Sequence, residues 1–252
     1  MARLWGVVPV LATVLVAGLT ACGSANPPNK SIAVYAAASL RKTFTAIGEQ
    51  FKTDNPGTFI DFNFAGSSDL VTQLTQGAIA DVFASADTKA MDKAAQAGLL
   101  AGDAVSFASN TLVIAVAPGN PKNVASFAEL DRPDLAVVVC ARPVPCGSAT
   151  QRIEDSIGIQ LNPVSEEGSV TDVLNKVASG QADAGLVYVT DALGAADKVT
   201  TVKFTEAGGA VNTCAIAVLK SATESGLARK FVALVTGEAG QTVLSQAGFA
   251  KP

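Results

Sequence analysis

The chain has 252 residues, of which 49% are apolar and 16% charged, and its formal net charge is −4. These proportions are typical of a globular protein, and the length suffices for one large domain or two small ones. The sequence contains no basic cluster, so nucleic acid is not an expected partner. Histidine is absent, which removes the commonest general base and metal ligand.

The N-terminal segment has the pattern of an export signal. Arg3 forms a short basic region, and the apolar run 7–19 is shorter than a membrane-spanning helix requires. Leu-Thr-Ala-Cys at 19–22 resembles the lipobox of bacterial lipoprotein signal peptides, which implies cleavage before Cys22 and a lipid on its sulfur. The alternative is an ordinary signal peptide with a stray cysteine. With the lipobox, residues 1–21 are the signal, 22–30 a lipidated tether, and the protein is anchored on the extracytoplasmic face of the membrane.

The first strand and helix of the folded part are predicted from residue 31 onward. Residues 32–35 are mostly β-formers, whereas the apolar residues over 40–51 recur at helical spacing. Ser39 lies at the change of period, so it is expected to cap the helix. A helix start offers unpaired N–H groups and a positive dipole end to an anion, but on this stretch alone simple capping is the stronger interpretation.

The rest of the chain alternates between strand and helix patterns. Strands are predicted at 59–64, 80–84, 111–117, 135–139, 184–189, 201–204 and 214–219. Helices are predicted at 67–77, 89–100 and 127–130, from about Pro145 or Cys146 through 157, and at 170–177, 223–235 and 240–246.

A weak internal repeat appears at an offset of 102 residues. Gly66-Ser67 matches Gly168-Ser169, and Ala80-Asp81 matches Ala182-Asp183, within the same order of predicted elements. This order indicates two similar α/β lobes, one formed by 31–113 with 213–252 and the other by 114–212.

Four predicted helix starts follow strands, two in each lobe, at Ser39, Ser67, Cys146 and Val170. In α/β sheets this carboxyl edge is where ligands bind. If the lobes face each other, backbone N–H groups and hydroxyls converge on a site suited to a small oxyanion, which has acceptors only. Tyr188 adds a further donor, although by itself it is more simply a core aromatic residue on a strand.

Three cysteines remain after Cys22, so at most one intrachain disulfide can form. Cys140 and Cys146 are the favoured pair because they are close in sequence and export permits disulfides. Pairs with Cys214 and three free thiols are the alternatives, and the spacing is not that of a zinc site.

The sequence carries little indication of catalysis. It has no Gly-x-Ser-x-Gly, no histidine for a catalytic triad and no P-loop. Asp81, Asp183 and Asp191 are expected to form turns and caps rather than to act as acids or bases.

Five motifs together resemble the molybdate-binding proteins of bacterial ABC importers. They are Tyr-Ala-Ala-Ala-Ser-Leu at 35–40, Ala-Gly-Ser-Ser at 65–68, Ala-Asp-Val-Phe-Ala-Ser-Ala-Asp at 80–87, Val-Pro-Cys-Gly at 144–147 and Gly-Leu-Val-Tyr at 185–188. The resemblance covers essentially all of 31–252. It implies a two-lobed, type II periplasmic-binding-protein-like α/β fold, each lobe a mixed sheet flanked by helices.

The resemblance also implies a ligand and a binding site. The lobes would close on molybdate or tungstate through the hydroxyls of Ser39, Ser67 and Tyr188 and the N–H groups of Cys146 and Val170. Cys146 departs from the familiar alanine, but the contact is by backbone. The expected protein is a monomer without catalysis, cofactor or other metal, and it delivers the anion to a membrane permease. A sulfate or phosphate binder is the alternative, and an enzyme on the same fold is the third hypothesis.

Overall fold

The computed structural model of the protein describes residues 1–2 and 30–252. The expected signal peptide, Cys22 and most of the tether lie outside the described residues. Within the described part, no helix has both the length and the apolar character needed to cross a membrane.

Within residues 30–252, ten strands form two five-stranded mixed sheets. The strands are β1 Lys30–Ala37, β2 Thr58–Ala65, β3 Val82–Ser85, β4 Val105–Asn110, β5 Leu112–Val116, β6 Val137–Cys140, β7 Ser165–Glu167, β8 Ala184–Tyr188, β9 Thr200–Val202 and β10 Asn212–Val218.

In the same part of the chain, eight α-helices pack on the faces of these sheets. They are α1 Arg41–Asp54, α2 Ser67–Thr75, α3 Thr88–Gln96, α4 Pro145–Ile157, α5 Val170–Ala178, α6 Val189–Gly194, α7 Ser225–Thr236 and α8 Glu238–Gln246. Short 3-10 turns cover Ala38–Leu40, Ala128–Asp131 and Thr205–Ala210.

The first sheet has the strand order β2-β1-β3-β10-β4. β2 and β3 run parallel to β1, and β10 runs antiparallel to both of its neighbours, β3 and β4. The second sheet has the order β7-β6-β8-β5-β9, with β6 parallel to β7 and β8 and with β5 antiparallel to β8 and β9. This is the expected two-lobed α/β fold.

The chain passes between the lobes twice. It leaves the first sheet after Asn110, enters the second at Leu112, and returns to the first at Asn212. The first passage lies about two residues before the expected boundary at 113.

The core of the first lobe lies on both faces of its sheet. On one face α1 packs against α7 and α8, and the aromatic side chains of α1 and α7 meet edge to face. The centroid of the Phe231 ring lies 5.8 Å from that of Phe44 and 5.5 Å from that of Phe51. On the other face, Phe83 packs with α2 and α3 around the buried side chains of Leu70 and Met91.

The internal repeat corresponds to a shared device in the two lobes. In the first lobe, Asp81 accepts a hydrogen bond from the Ala33 N–H through its carboxylate (2.7 Å) and donates its own N–H to the Ala33 carbonyl (2.8 Å). In the second lobe, Asp183 makes the same two contacts with Ala136, at 2.9 and 2.8 Å. Each aspartate therefore ties the start of the strand that follows it, β3 or β8, to the neighbouring chain segment, where the sequence predicted turns and caps.

Most predicted elements are present with shifted ends, and three features differ. Ser39 does not cap α1: it lies inside the 3-10 turn Ala38–Leu40, and its side chain makes no capping hydrogen bond. β4, β7 and α6 were not predicted. The helix expected to reach residue 100 ends at Gln96, since Gly98 at φ +70° ends it with a left-handed turn.

Candidate anion-binding site

One small cavity between the two lobes is lined by all five of the residues that the sequence singled out. They are Ser39, Ser67, Cys146, Val170 and Tyr188, and the cavity is small, with a volume of about 10 Å³. Ser39 and Ser67 belong to the first lobe and the other three to the second, so the cavity exists only where the lobes meet.

The lining of the cavity carries no charged side chain. The other lining residues are Ala37, Ala38, Gly66, Ala86, Val144 and Pro145. Small residues let the backbone approach a guest closely. Among the described residues there is also no cluster of three or more histidine, cysteine, aspartate or glutamate side chains that could hold a metal ion.

Ser39 presents an unpartnered hydroxyl. The residue is 8% exposed, and its Oγ is buried without a hydrogen-bond partner among the described residues. Leaving such a group unpaired costs about 1–3 kcal/mol, so a ligand in the cavity that forms a hydrogen bond with this hydroxyl would remove an unfavourable contribution.

Ser67 begins α2, directly after β2, and is 1% exposed. Its Oγ accepts a hydrogen bond from the Ala86 N–H at 3.0 Å. Because that contact uses a lone pair of the hydroxyl, its proton is available for donation.

Tyr188 ends β8 and is 1% exposed. Its hydroxyl oxygen accepts a hydrogen bond from Asn212 Nδ2 at 2.7 Å. Burial raises the pKa of Tyr188 well above its usual value, although the bond from Asn212 acts in the other direction. The side chain therefore stays neutral and keeps its proton.

Cys146 and Val170 contribute backbone rather than side chain. Cys146 is the second residue of α4, after Pro145, and Val170 is the first residue of α5. N–H groups in the first turn of a helix have no intrahelical partner, and the helix dipole makes this end positive. The Ser169 side chain caps α5 by accepting from the Asp172 N–H, which leaves the Val170 N–H to other acceptors.

A disulfide joins Cys140 to Cys146, with a Cα–Cα distance of 5.6 Å. It connects the last residue of β6 to the first turn of α4, so it holds the helix start against the sheet. Cys214 is a buried free thiol, and burial raises its pKa to about 12. It therefore adds no negative charge near the cavity.

The glycines of the repeated Gly-Ser turns meet across the lobes. A Cβ atom built on Gly66 would lie 2.1 Å from the carbonyl oxygen of Gly168. The lobes can therefore approach this closely only because residue 66 has no side chain.

Two residues that help to build the site were missed at the sequence level. Asn212 bonds to the Tyr188 hydroxyl, and the Ala86 N–H bonds to the Ser67 hydroxyl. Asn212 stands two residues before a predicted strand and belongs to no motif, so no sequence pattern could have indicated it.

Two lobes that enclose a small buried cavity of neutral donors define a solute-binding protein of the bacterial type II class. Residues 32–250 match the family described as bacterial extracellular solute-binding protein. The chain belongs to this family and, within it, to the group of proteins named ModA, as the sequence resemblance predicted.

The relatives agree in fold and length. The molybdate-binding protein ModA of Mycobacterium tuberculosis is 63% identical, and the match covers 96% of this chain and 97% of that protein. The substrate-binding domain of a putative molybdenum ABC transporter from Clostridium difficile superimposes with a TM-score of 0.64 at 27% identity, covering 88% of this chain and 99% of that one. The periplasmic molybdate-binding protein of Azotobacter vinelandii superimposes with a TM-score of 0.75 over 88% of this chain and 99% of that one, and at 22% identity it shows the fold alone.

Proposed function

We propose that this protein binds molybdate between its lobes and delivers it to the membrane permease of an ABC importer. The observation that carries the proposal is the convergence of three hydroxyls and two helix starts on one uncharged cavity. The ModA relatives, named for molybdate binding, support the choice of ligand.

The charge of the site fits a fully deprotonated oxyanion. Such an ion needs only donors, and the cavity offers hydroxyls and backbone N–H groups without a carboxylate among its lining residues. Helix N-termini supply partial positive charge without a bound cation. Tungstate has the same charge and shape, so we propose that it binds at the same place.

Sulfate is the alternative ligand, since it is also a tetrahedral dianion. The sulfate-binding protein SubI of Mycobacterium tuberculosis superimposes with a TM-score of 0.75, but at 19% identity this likeness concerns the fold alone. We favour molybdate because the helix starts are held at fixed positions, so their N–H groups cannot move inward to reach sulfate, which is the smaller ion.

The assignment of Ser39, Ser67 and Tyr188 as ligand donors is tested by removing single hydroxyls. A hydrogen bond to a charged group contributes about 1.5–3 kcal/mol, so Ser39→Ala, Ser67→Ala and Tyr188→Phe should each weaken molybdate binding roughly tenfold or more. Cys146→Ala should lose less, because its N–H remains.

Titration calorimetry with sulfate as competitor measures these losses, and Ser68→Ala is the matched control. Ser68 neighbours Ser67 in the same helix but does not line the cavity, so its variant should bind like the parent. If Ser39→Ala and Ser67→Ala also bind like the parent, the donor assignment is wrong. If sulfate binds the parent as tightly as molybdate, the named ligand is wrong.

We also propose that the protein is a monomeric lipoprotein held at the extracytoplasmic face of the membrane through Cys22. The sequence Leu-Thr-Ala-Cys at 19–22 supports the lipid. Cys22→Ala should abolish both acyl labelling and membrane retention. Retention of both by the variant would exclude lipid attachment at this residue.

A further inference from the structure

The hydroxyl of Tyr188 ends a short chain of hydrogen bonds that begins at the protein surface. Arg152 Nη2 donates to Asn212 Oδ1 at 2.6 Å. Asn212 Nδ2 donates to the Pro145 carbonyl oxygen at 2.9 Å and to the Tyr188 hydroxyl oxygen at 2.7 Å. Arg152 is exposed, whereas Asn212 and Tyr188 are 2% and 1% exposed.

The direction of every bond in this chain is determined by chemistry. A guanidinium group only donates and a backbone carbonyl oxygen only accepts. Arg152 therefore requires the amide oxygen of Asn212 on its side, and Pro145 independently requires the amide nitrogen on the other side. The Tyr188 oxygen faces that same nitrogen, so it must act as an acceptor there. Its own proton must point elsewhere, and the side chain lines the cavity.

We propose that Asn212 is a positioning residue that fixes the Tyr188 hydroxyl as a donor toward the cavity, and that it thereby selects fully deprotonated oxyanions over protonated ones. The inference rests on the proposed anion-binding function and adds a residue and a selectivity rule to it. A protonated oxyanion carries an O–H group that needs an acceptor, and a tyrosine oxygen whose proton points into the cavity is a poor one.

The Ser67 hydroxyl is also fixed as a donor toward the cavity, but by a backbone group. The Ala86 N–H occupies a lone pair of the Ser67 hydroxyl at 3.0 Å, which also leaves the hydroxyl proton for the cavity. Because that donor belongs to the backbone, mutation cannot reverse it. Asn212 is therefore the position at which the polarity of the site can be changed by a side chain.

A purely structural role for Asn212 is the competing explanation. Asn212 is the first residue of β10, where the chain returns to the first lobe, and it contacts three residues of the second lobe. Asn110 stands opposite it in the β4–β10 register and also reaches the second lobe, since its Nδ2 donates to Thr190 Oγ1 at 2.8 Å. Among the described residues, neither Asn110 nor Thr190 forms a hydrogen bond with the Tyr188 hydroxyl, so Asn110 is a matched control.

The test is Asn212→Asp, which keeps the shape of the side chain and reverses its polarity. The carboxylate accepts from Arg152 on one side and, on the other, accepts the Tyr188 proton that pointed into the cavity. Molybdate binding should fall roughly a hundredfold or more, because a donor is lost and a negative charge is added. Asn110→Asp adds the same charge in the same strand pair and should lose far less.

The decisive readout is selectivity, because general damage to the chain segments that connect the two lobes would weaken the binding of all anions together. Arsenate is the probe, since at neutral pH it is a tetrahedral dianion that keeps one proton. In Asn212→Asp the Tyr188 oxygen becomes free to accept, so the ratio of arsenate to molybdate affinity should rise at least roughly tenfold. Asn110→Asp should keep the ratio of the parent.

Asn212→Ala guards against misfolding of the charged variant. It frees Tyr188 to point its proton either way, so it should lower molybdate affinity less than Asn212→Asp and still raise the arsenate ratio. If the parent binds molybdate and both Asn212 variants keep its ratio, Asn212 has no positioning role. If the parent binds arsenate as tightly as molybdate, the selectivity rule is wrong. A parent that binds neither anion overturns the proposed function and this inference with it.

Discussion

Gly66→Ala should prevent the two lobes from closing without disturbing either of them. Gly66 has φ −59° and ψ 139°, a conformation that alanine adopts freely, so the substitution brings no backbone strain. The conflict lies across the lobes, because the new Cβ atom would stand 2.1 Å from the Gly168 carbonyl oxygen. Backbone lines both sides of this contact, so a side-chain rotation cannot relieve it.

The size of the effect follows from that distance. Real Cβ atoms essentially never approach a neighbour within 3.0 Å, so the lobes must part by about 0.9 Å at the Gly66–Gly168 contact. A hydrogen bond lengthened by that amount from about 2.9 Å is no longer a hydrogen bond. Losing two donors of the second lobe at about 1.5–3 kcal/mol each would weaken molybdate binding by roughly two to four orders of magnitude.

Gly168→Ala is the matched control, since a Cβ atom there would meet only Asp69 Oδ2 at 3.5 Å, an ordinary contact. Calorimetry measures the affinities, and X-ray scattering with and without molybdate measures compaction. Without ligand, Gly66→Ala should lose no more than about 1 kcal/mol of unfolding free energy, the usual effect of a changed N-cap residue. If it binds molybdate as tightly as Gly168→Ala does, close apposition of the Gly-Ser turns is not needed for binding.

Three further predictions concern stability. Cys140→Ser should lower the free energy of unfolding by about 2 kcal/mol, the chain-entropy value for so short a loop. Chemical denaturation measures this change. If reduction of the disulfide in the parent protein leaves its free energy of unfolding unchanged, the prediction is wrong. Burial raises the pKa of Asp191 to about 7, although the bond from the Tyr188 N–H opposes this. Since its pKa exceeds the unfolded value of about 3.9, its ionisation should cost stability progressively as pH rises from about 4 to 7. Asp191→Asn should lack this loss, so the difference in free energy of unfolding between the variant and the parent should shift in favour of the variant as pH rises. Denaturation curves at several pH values measure this difference, and a difference that stays constant would refute the prediction. A Cβ atom on Gly147 would lie 2.5 Å from the Cys140 carbonyl oxygen. Gly147→Ala should therefore force the start of α4 away from β6 and lower the midpoint of thermal unfolding. An unchanged midpoint would show that the start of α4 can move without a loss of stability.

The elements that were predicted correctly have a regular spacing of apolar residues within their own sequence. β2 is an example, because Ile60, Phe62 and Phe64 alternate along one face and pack against the core. β4 was missed because Val105–Asn110 combines serines and an asparagine with few apolar residues, and pairing with β10 makes it a strand. α6 was missed because it follows β8 without a turn and is only six residues long.

The residues of the candidate site also fall into two groups, those indicated by the local sequence and those defined only by contacts between the lobes. Helix starts after strands are visible in the sequence, so the residues at them could be singled out, although Ser39 proved to lie in a 3-10 turn with a free hydroxyl rather than at a cap. The role of Asn212 depends on Arg152 and Tyr188, which lie 60 and 24 residues away. Such contacts arise only when the two lobes are assembled, and no local pattern encodes them.

The strand order of the first sheet has a consequence for the order of assembly. β10 lies between β3 and β4, so β4 has no strand partner in its sheet until residues 212–218 have been synthesised. The second sheet uses only 112–202 and can complete earlier. Because domains fold as units and contacts distant in sequence form slowly, the continuous lobe should become protease-resistant first. The first lobe must wait for about the last sixth of the chain, and the cavity between the lobes is the last part of the molecule to form.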